Sequence, residues 1–252
     1  MTLLKLLVAE HFDGQVWRLE VDPISNTLFA EIRHVEDRRV DFAAISLNDG
    51  KTFFKNYTVD ERWLTGIEAA YGGVLLLHYY ESSGSPAHRG LAGVEATTGR
   101  LLWHNFNYSF DHLSNNGPVF FDSRLQPAKY YLSNIRTGTL QRAYNPTTDT
   151  DFDNQIIVPD AVALPTDLPQ LPVESYGHKV HYLTYNNFRI VSLHTLWAGQ
   201  LRQYLFVADE HEIIFEDILN TNIQKLQPEA FVLYQNKLVY IKDRSEVKVL
   251  NL

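Results

Sequence analysis

Three glycines set the frame of this chain. Gly50, Gly99 and Gly138 each follow a short polar residue, Asp49, Thr98 and Thr137. Four residues before each glycine stands a hydrogen-bonding side chain, Ser46, Glu95 or Asn134. Four residues after it stands Phe54, Trp103 or Arg142. A tight hairpin between antiparallel strands often needs a residue at positive φ, which glycine adopts without a Cβ clash, and short polar neighbours bond to the turn's own backbone. The glycines recur at intervals of 49 and 39 residues. Four-stranded propeller blades recur at about 40–45 residues, so the spacing predicts blades joined by loops of varying length.

The segments around each glycine repeat one order: strand, second strand, turn, third strand. Residues 73–103 read GVLLLHYY, GLAGVEATTG and RLLW. Residues 27–54 read TLFAEIRH, VDFAAISLNDG and KTFF, and residues 118–140 read PVFFDSR, KYYLSNIRTG and TL. Two more blades are predicted, at 179–219 and 229–252, the last with only three strands of its own. A propeller has to close, because an open sheet edge and an apolar face would otherwise meet water. Leu3–Ala9 is therefore assigned as the missing outer strand, paired with Val247–Leu252. The expectation is an all-β fold, a small β-propeller of five blades of four antiparallel strands, forming a single domain over 1–252. Reading Val16–Val21 as an outer strand is an alternative parse that changes the register, and six or seven blades are the alternatives to five. Helical periodicity can be entertained only in the first residues and in Ile213–Lys225.

Gly93-Val94-Glu95-Ala96-Thr97-Thr98-Gly99-Arg100-Leu101-Leu102-Trp103 resembles the tryptophan-docking motif of quinoprotein-like β-propellers, Ala-x-Asp-x-x-Thr-Gly-x-x-x-Trp. It departs from that pattern with Gly93 for Ala and Glu95 for Asp. Residues 44–54 and 132–142 are weaker copies. The resemblance implies that Trp103 packs between adjacent blades while the acid and the Thr-Gly pair fix the hairpin. It implies fold rather than function, and the quinone cofactor of the longer dehydrogenases in that superfamily is not carried over.

Composition excludes several classes of function. The chain has 22 basic and 30 acidic side chains and a net charge of -8, so it lacks the basic excess of a general nucleic-acid binder. It has no cysteine, which removes disulfides, thiolate metal sites and cysteine nucleophiles. No apolar run reaches the roughly 18 residues of a membrane helix. The opening MTLLKLLVA is interrupted by Lys5 and stopped by Glu10, His11 and Asp13, unlike a secretory signal. The location expected from this is cytoplasmic.

One stretch breaks the repeat. Ala143 to His178 has no Lys or Arg, six of the acids and five of the ten prolines. Proline cannot donate to a sheet ladder, so a Pro/Asp-rich interblade insertion is predicted at about 145–177, with one strand at Gln155–Val158. Within it Asp149, Asp151 and Asp153 alternate, and Asp160 falls at the twelfth position of a calcium-loop pattern. Asn154 replaces the loop's glycine, and a plain solvated loop is the rival reading. His178 and His181 are spaced poorly for one metal on a strand. No nucleophile elbow, Walker loop or dinucleotide fingerprint occurs.

Aligning the second strands by their apolar cores superposes Arg33, His78, His194 and Lys242, each just after an apolar residue. This predicts cationic groups around one mouth, a site for an anionic ligand that strengthens as the histidines gain charge. The bland alternative is polar residues where buried strands emerge. The functional expectation is a non-catalytic scaffold binding a protein or small ligand at one mouth. The alternatives are a propeller hydrolase or lyase acting on a sugar or anionic substrate with calcium, and a structural member of a larger complex.

Overall fold

The computed structural model describes residues 4–228 and 230–252, and every regular element among them is a β-strand. After β1 (Lys5–His11) come three four-stranded antiparallel sheets. The first holds β2 (Gln15–Asp22), β3 (Thr27–His34), β4 (Arg39–Ser46) and β5 (Thr52–Tyr57). The second holds β6 (Thr65–Tyr71), β7 (Val74–Tyr80), β8 (His88–Glu95) and β9 (Leu101–Asn105). The third holds β10 (Tyr108–Ser114), β11 (Gly117–Asp122), β12 (Tyr130–Ser133) and β13 (Leu140–Ala143). The short strands β14 (Ile156–Ile157) and β15 (Asp160–Val162) follow. The fourth sheet is built on β16 (Val180–Tyr185), β17 (Phe188–Trp197), β18 (Gln200–Ala208) and β19 (Ile213–Ile223). The fifth is built on β20 (Phe231–Tyr234), β21 (Lys237–Lys242) and β22 (Glu246–Asn251). These are five consecutive propeller-type blades, as the glycine spacing predicts. Ile213–Lys225, the stretch where a helix could be entertained, is strand as far as Ile223.

The chain forms two compact units. Gly14–Asn154 carries the first three sheets, and Met1–Asp13 with Gln155–Leu252 carries the other two. In the second unit the strand order of the fifth sheet is β1-β22-β21-β20-β14. Lys5 pairs with Asn251 and His11 with Glu246, so the N-terminal strand supplies the outer edge of the last blade. Leu3, the start of the strand assigned from sequence, lies outside the described residues. The insertion is more ordered than its prolines predict. Ile156–Ile157 adds a strand beside β20, where the sequence reading has one, and Asp160–Val162 adds a second beside β16. The insertion thus covers the first-strand edge of both sheets in this unit, which protects those edges from pairing elsewhere.

The three turn glycines share one backbone pattern. Gly50, Gly99 and Gly138 donate to the carbonyls of Ser46, Glu95 and Asn134 at 2.8–2.9 Å. All three have φ between 68° and 76°, the region where a Cβ is strained. Two of the residues four positions downstream, Phe54 and Trp103, lie on the glycine of the next blade. A Cβ on Gly138 would sit 2.5 Å from the Trp103 indole, and one on Gly99 would sit 3.4 Å from the Phe54 ring. Trp103 also backs onto Gly93 of its own blade, and its Nε1 donates to the Ile135 carbonyl at 2.7 Å. Glu95 accepts from Thr98 within the hairpin and from Arg136 of the next blade. The central strands, such as Thr27–Ile32 and Val74–Leu77, are buried on both faces, which is why they read as continuous apolar runs rather than alternating ones.

Two tests follow from this packing. Trp103→Ala is expected to cost about 3 kcal/mol in urea melts, and Gly138→Ala about 2 kcal/mol in the wild-type background. Gly138→Ala is expected to cost distinctly less once Trp103 is already alanine, because the clash is gone; equal costs in both backgrounds would contradict the docking. Removing residues 1–11 bares the β22 edge and is expected to lower solubility and broaden the melt. An unchanged melting temperature would show that β1 adds nothing to the fifth sheet.

Candidate functional site

In the first unit the opening strand of each sheet carries a β-bulge at the equivalent place. The register slips between Val16 and Arg18, between Ile67 and Ala69, and between Phe110 and His112. The extra residues are Trp17, Glu68 and Asp111. A bulge turns its side chain out of the pleat, and bulges gather beside functional sites. Trp17 is 61% exposed. Glu68 reaches His78 and His88, and Asp111 bonds His112 at 2.7 Å.

Side chains of the first sheet satisfy the free edge of β6. Arg18 donates to the carbonyls of Ile67 at 2.8 Å and Glu68 at 3.1 Å, and also holds Glu20 at 3.0 Å. Glu31, almost wholly buried, accepts from the Ile67 amide at 2.8 Å. Arg33 donates from Nε to Glu31 at 2.7 Å and from Nη2 to the Thr65 carbonyl at 3.2 Å. Its guanidinium lies 5.5 Å from the Trp17 ring centre and 5.3 Å from that of Trp63. The result is an arginine held between two tryptophans, one of them open to solvent.

Beside this lies a carboxylate with two imidazoles. Glu68 Oε2 is 2.8 Å from His88 Nδ1 and 3.2 Å from His78 Nδ1. The two imidazole rings stack, with centres 3.6 Å apart and planes 6° from parallel, and Tyr80 closes on both edge-on. His78 is 2% exposed, and its Nε2 makes no hydrogen bond. Burial pushes the Glu68 carboxyl up, and the two imidazoles beside it more than offset that, leaving it below its ordinary value. Glu20 moves the other way, raised chiefly by burial against the opposing pull of Arg18, with the Glu68 charge adding to the rise.

All four residues proposed for a cationic mouth stand on the second strands of their sheets, but the structure gives each an environment that the sequence does not show. Arg33 is already engaged by Glu31 and Thr65 and so is not a free fork for an anion. His78 is buried against Glu68 rather than opening to solvent. In the second unit Lys242 is paired with Asp217 at 2.6 Å, and Lys248 and Tyr240 bond the same carboxylate. His194 is buried, and its Nε2 accepts from the Gln227 amide at 3.0 Å. That bond requires an unprotonated Nε2. Burial, with the charge of His181 adding, lowers the His194 pKa to about 4, so this residue does not gain charge near pH 6 as expected from the sequence.

The calcium reading also changes. Asp149 is fully buried, and its two oxygens face the Arg142 guanidinium while also accepting from Asn116 and the Asn145 amide. Its carboxyl is held far below the usual range, first by Arg142. In this structure it anchors a turn. Asp151 points to solvent, Asp153 is exposed, and Asp160 begins β15 in the other unit. The residues that sequence reasoning missed are Trp17, Glu31, Glu68 and His88. The available signal was the repeat itself: Trp17, Glu68 and Asp111 are 51 and 43 residues apart, tracking the glycine spacing.

His194 makes a pH prediction. Its folded pKa lies below the unfolded value of about 6.5, so the unfolded chain binds the extra proton first. Its contribution is complete above pH 6.5 and is lost as pH falls toward 4, by about 3 kcal/mol at most. Melting temperatures of wild type are expected to fall over that window more steeply than those of His194→Gln. Parallel curves would show that His194 is not buried neutral.

The family described as a domain of unknown function, DUF4905, matches residues 21–103, the stretch that holds Glu31, Arg33, Glu68, His78, His88 and Trp103. Curated proteins gave no match. Among solved structures the chain is similar to BamB from Moraxella catarrhalis, with 11% identity and a TM-score of 0.36, over 98% of this chain and 83% of that one. No helix among the described residues is long and apolar enough to cross a membrane.

Proposed function

We propose that this chain is a non-catalytic β-propeller scaffold that binds a protein segment at the bulge-bearing end of its first unit. The observation that carries this reading is the exposed Trp17, set out of its strand by a bulge and held against Arg33. Tryptophan and arginine dominate the energetics of protein interfaces, and a rigid anchor loses little entropy on binding. Arg33 is rigid because Glu31 and Thr65 hold its head and the Trp63 ring lies 5.3 Å from it. The same bonds neutralise it, so the platform suits an apolar or aromatic segment with a polar flank better than a free anion.

A peptide library displayed on phage and selected on the immobilised chain tests this. Selected peptides are expected to lose at least tenfold in affinity for Trp17→Ala, about 1.4 kcal/mol, while the variant's melting temperature stays near that of wild type. Peptides that bind Trp17→Ala equally well would refute the reading. The second reading, a hydrolase or lyase acting on a sugar or anionic substrate, is favoured by the Glu68 carboxylate beside two stacked imidazoles, an arrangement suited to proton transfer. Turnover of such a substrate that is lost in His88→Ala would select it.

A further inference from the structure

Glu68, His78 and His88 come from three consecutive strands of one sheet, β6, β7 and β8, and aim their donor atoms at one place. Those three atoms lie within 4.8 Å of one another, the one such group of histidine and acid residues among the described residues. The bulge at Glu68 is what allows it. In an unbroken ladder the residue after Ile67 would face Leu76 and point across the sheet; as an extra residue it is free to turn toward β7 and β8.

Two further observations point to a ligand. The first is His78. It is 2% exposed, its Nδ1 has only the Glu68 carboxylate at 3.2 Å beside it, and its Nε2 has no hydrogen bond, whereas buried polar groups in native structures are otherwise satisfied. The second is the gap left by Gly66. A Cβ there would stand 3.1 Å from His78 Nε2 and 3.0 Å from Glu31 Oε2. Glycine therefore keeps a space bordered by the far nitrogen of His78 and by a buried carboxylate. Metal-bound histidines commonly use such a carboxylate to fix the ring and its tautomer.

We propose that Glu68, His78 and His88 form a binding site for one divalent transition-metal ion of the Zn²⁺ type, through Glu68 Oε2 and the Nδ1 atoms of both histidines. Tetrahedral zinc with bonds of about 2.0–2.1 Å keeps its donors about 3.3 Å apart. The present separations of 2.8 and 3.2 Å to Oε2 need only a slight opening, whereas the two rings, stacked with centres 3.6 Å apart, have to splay apart so that both Nδ1 lone pairs meet at one ion. Two imidazoles and one carboxylate suit zinc and its neighbours, whereas calcium and magnesium take all-oxygen shells. The partly exposed His88 leaves the fourth position on the solvent side, where water or a ligand group completes the shell. Arg18, which bonds the Glu68 carbonyl, is occupied by Glu20 and by the β6 carbonyls.

The test uses the full chain, stripped with a chelator and titrated with Zn²⁺ by calorimetry, and with Co²⁺ by visible absorption. One Zn²⁺ per chain is expected, with tetrahedral Co²⁺ bands and no comparable binding of Ca²⁺ or Mg²⁺. His88→Ala alters a partly exposed side chain and is expected to keep the wild-type circular dichroism while weakening Zn²⁺ at least tenfold and abolishing the Co²⁺ bands. Glu68→Gln is expected to do the same. Absence of Zn²⁺ binding by wild type, or binding that His88→Ala leaves unchanged, overturns the proposal and makes the group a carboxylate that shares protons with two imidazoles.

Discussion

The structure rests on aromatic rings laid against glycine. Trp103 covers Gly138 and Phe54 covers Gly99, each ring reaching from the last strand of one sheet to the turn of the next. The contact needs glycine twice over. The backbone there has positive φ, and at Gly138 a Cβ would also occupy the space of the ring. One residue type thus shapes the hairpin and seats the neighbouring sheet, so turn and docking cannot vary independently. The third copy has Arg142 in the aromatic position, and there its exposed guanidinium pairs with the buried Asp149 carboxylate. Removing the arginine from such a pair is costly because the carboxylate is left buried and charged.

Polar side chains do the same work at the opposite edges of the sheets. Arg18, Glu31 and Arg33 bond the exposed backbone of β6, and in the second unit Asp217 joins β19 to Tyr240, Lys242 and Lys248. Charges that look available in a linear sequence are committed to holding sheets together. The bulges are where this scheme leaves side chains over. Trp17 and Glu68 are extra residues in their strands, so neither is needed for the ladder. They stand beside the staples and are held rigid by them. The proposed protein-binding platform and the proposed metal site both arise from these surplus positions.

The fold was legible because its signals are local. Gly50, Gly99 and Gly138 announce a backbone conformation that few other residues adopt, and the Phe54 and Trp103 offsets announce what docks there. The closing strand followed from the missing edge of the last sheet. The site was far less legible. Arg33 and His78 stand on the second strands of their sheets, but what engages them, Glu31 two residues away and Glu68 on the neighbouring strand, leaves no trace in spacing. Trp17 and Glu68 depend on a one-residue slip in register, which flips a side chain to another face and which no composition pattern encodes. Asp149 looked like an oxygen ligand because alternate acids suit calcium; only the fold brings Arg142 to it. His194 looked titratable because exposure cannot be read from a strand end alone.

The aromatic-on-glycine contact can be observed directly in solution. An indole or phenyl ring stacked on a glycine shields its Hα protons, so proton NMR is expected to show the Gly138 and Gly99 Hα resonances displaced strongly upfield. The Gly138 shift is expected to collapse in Trp103→Leu while that of Gly99 persists. Unshifted Hα resonances at both glycines in the folded wild-type chain would contradict the account of how adjacent sheets are held.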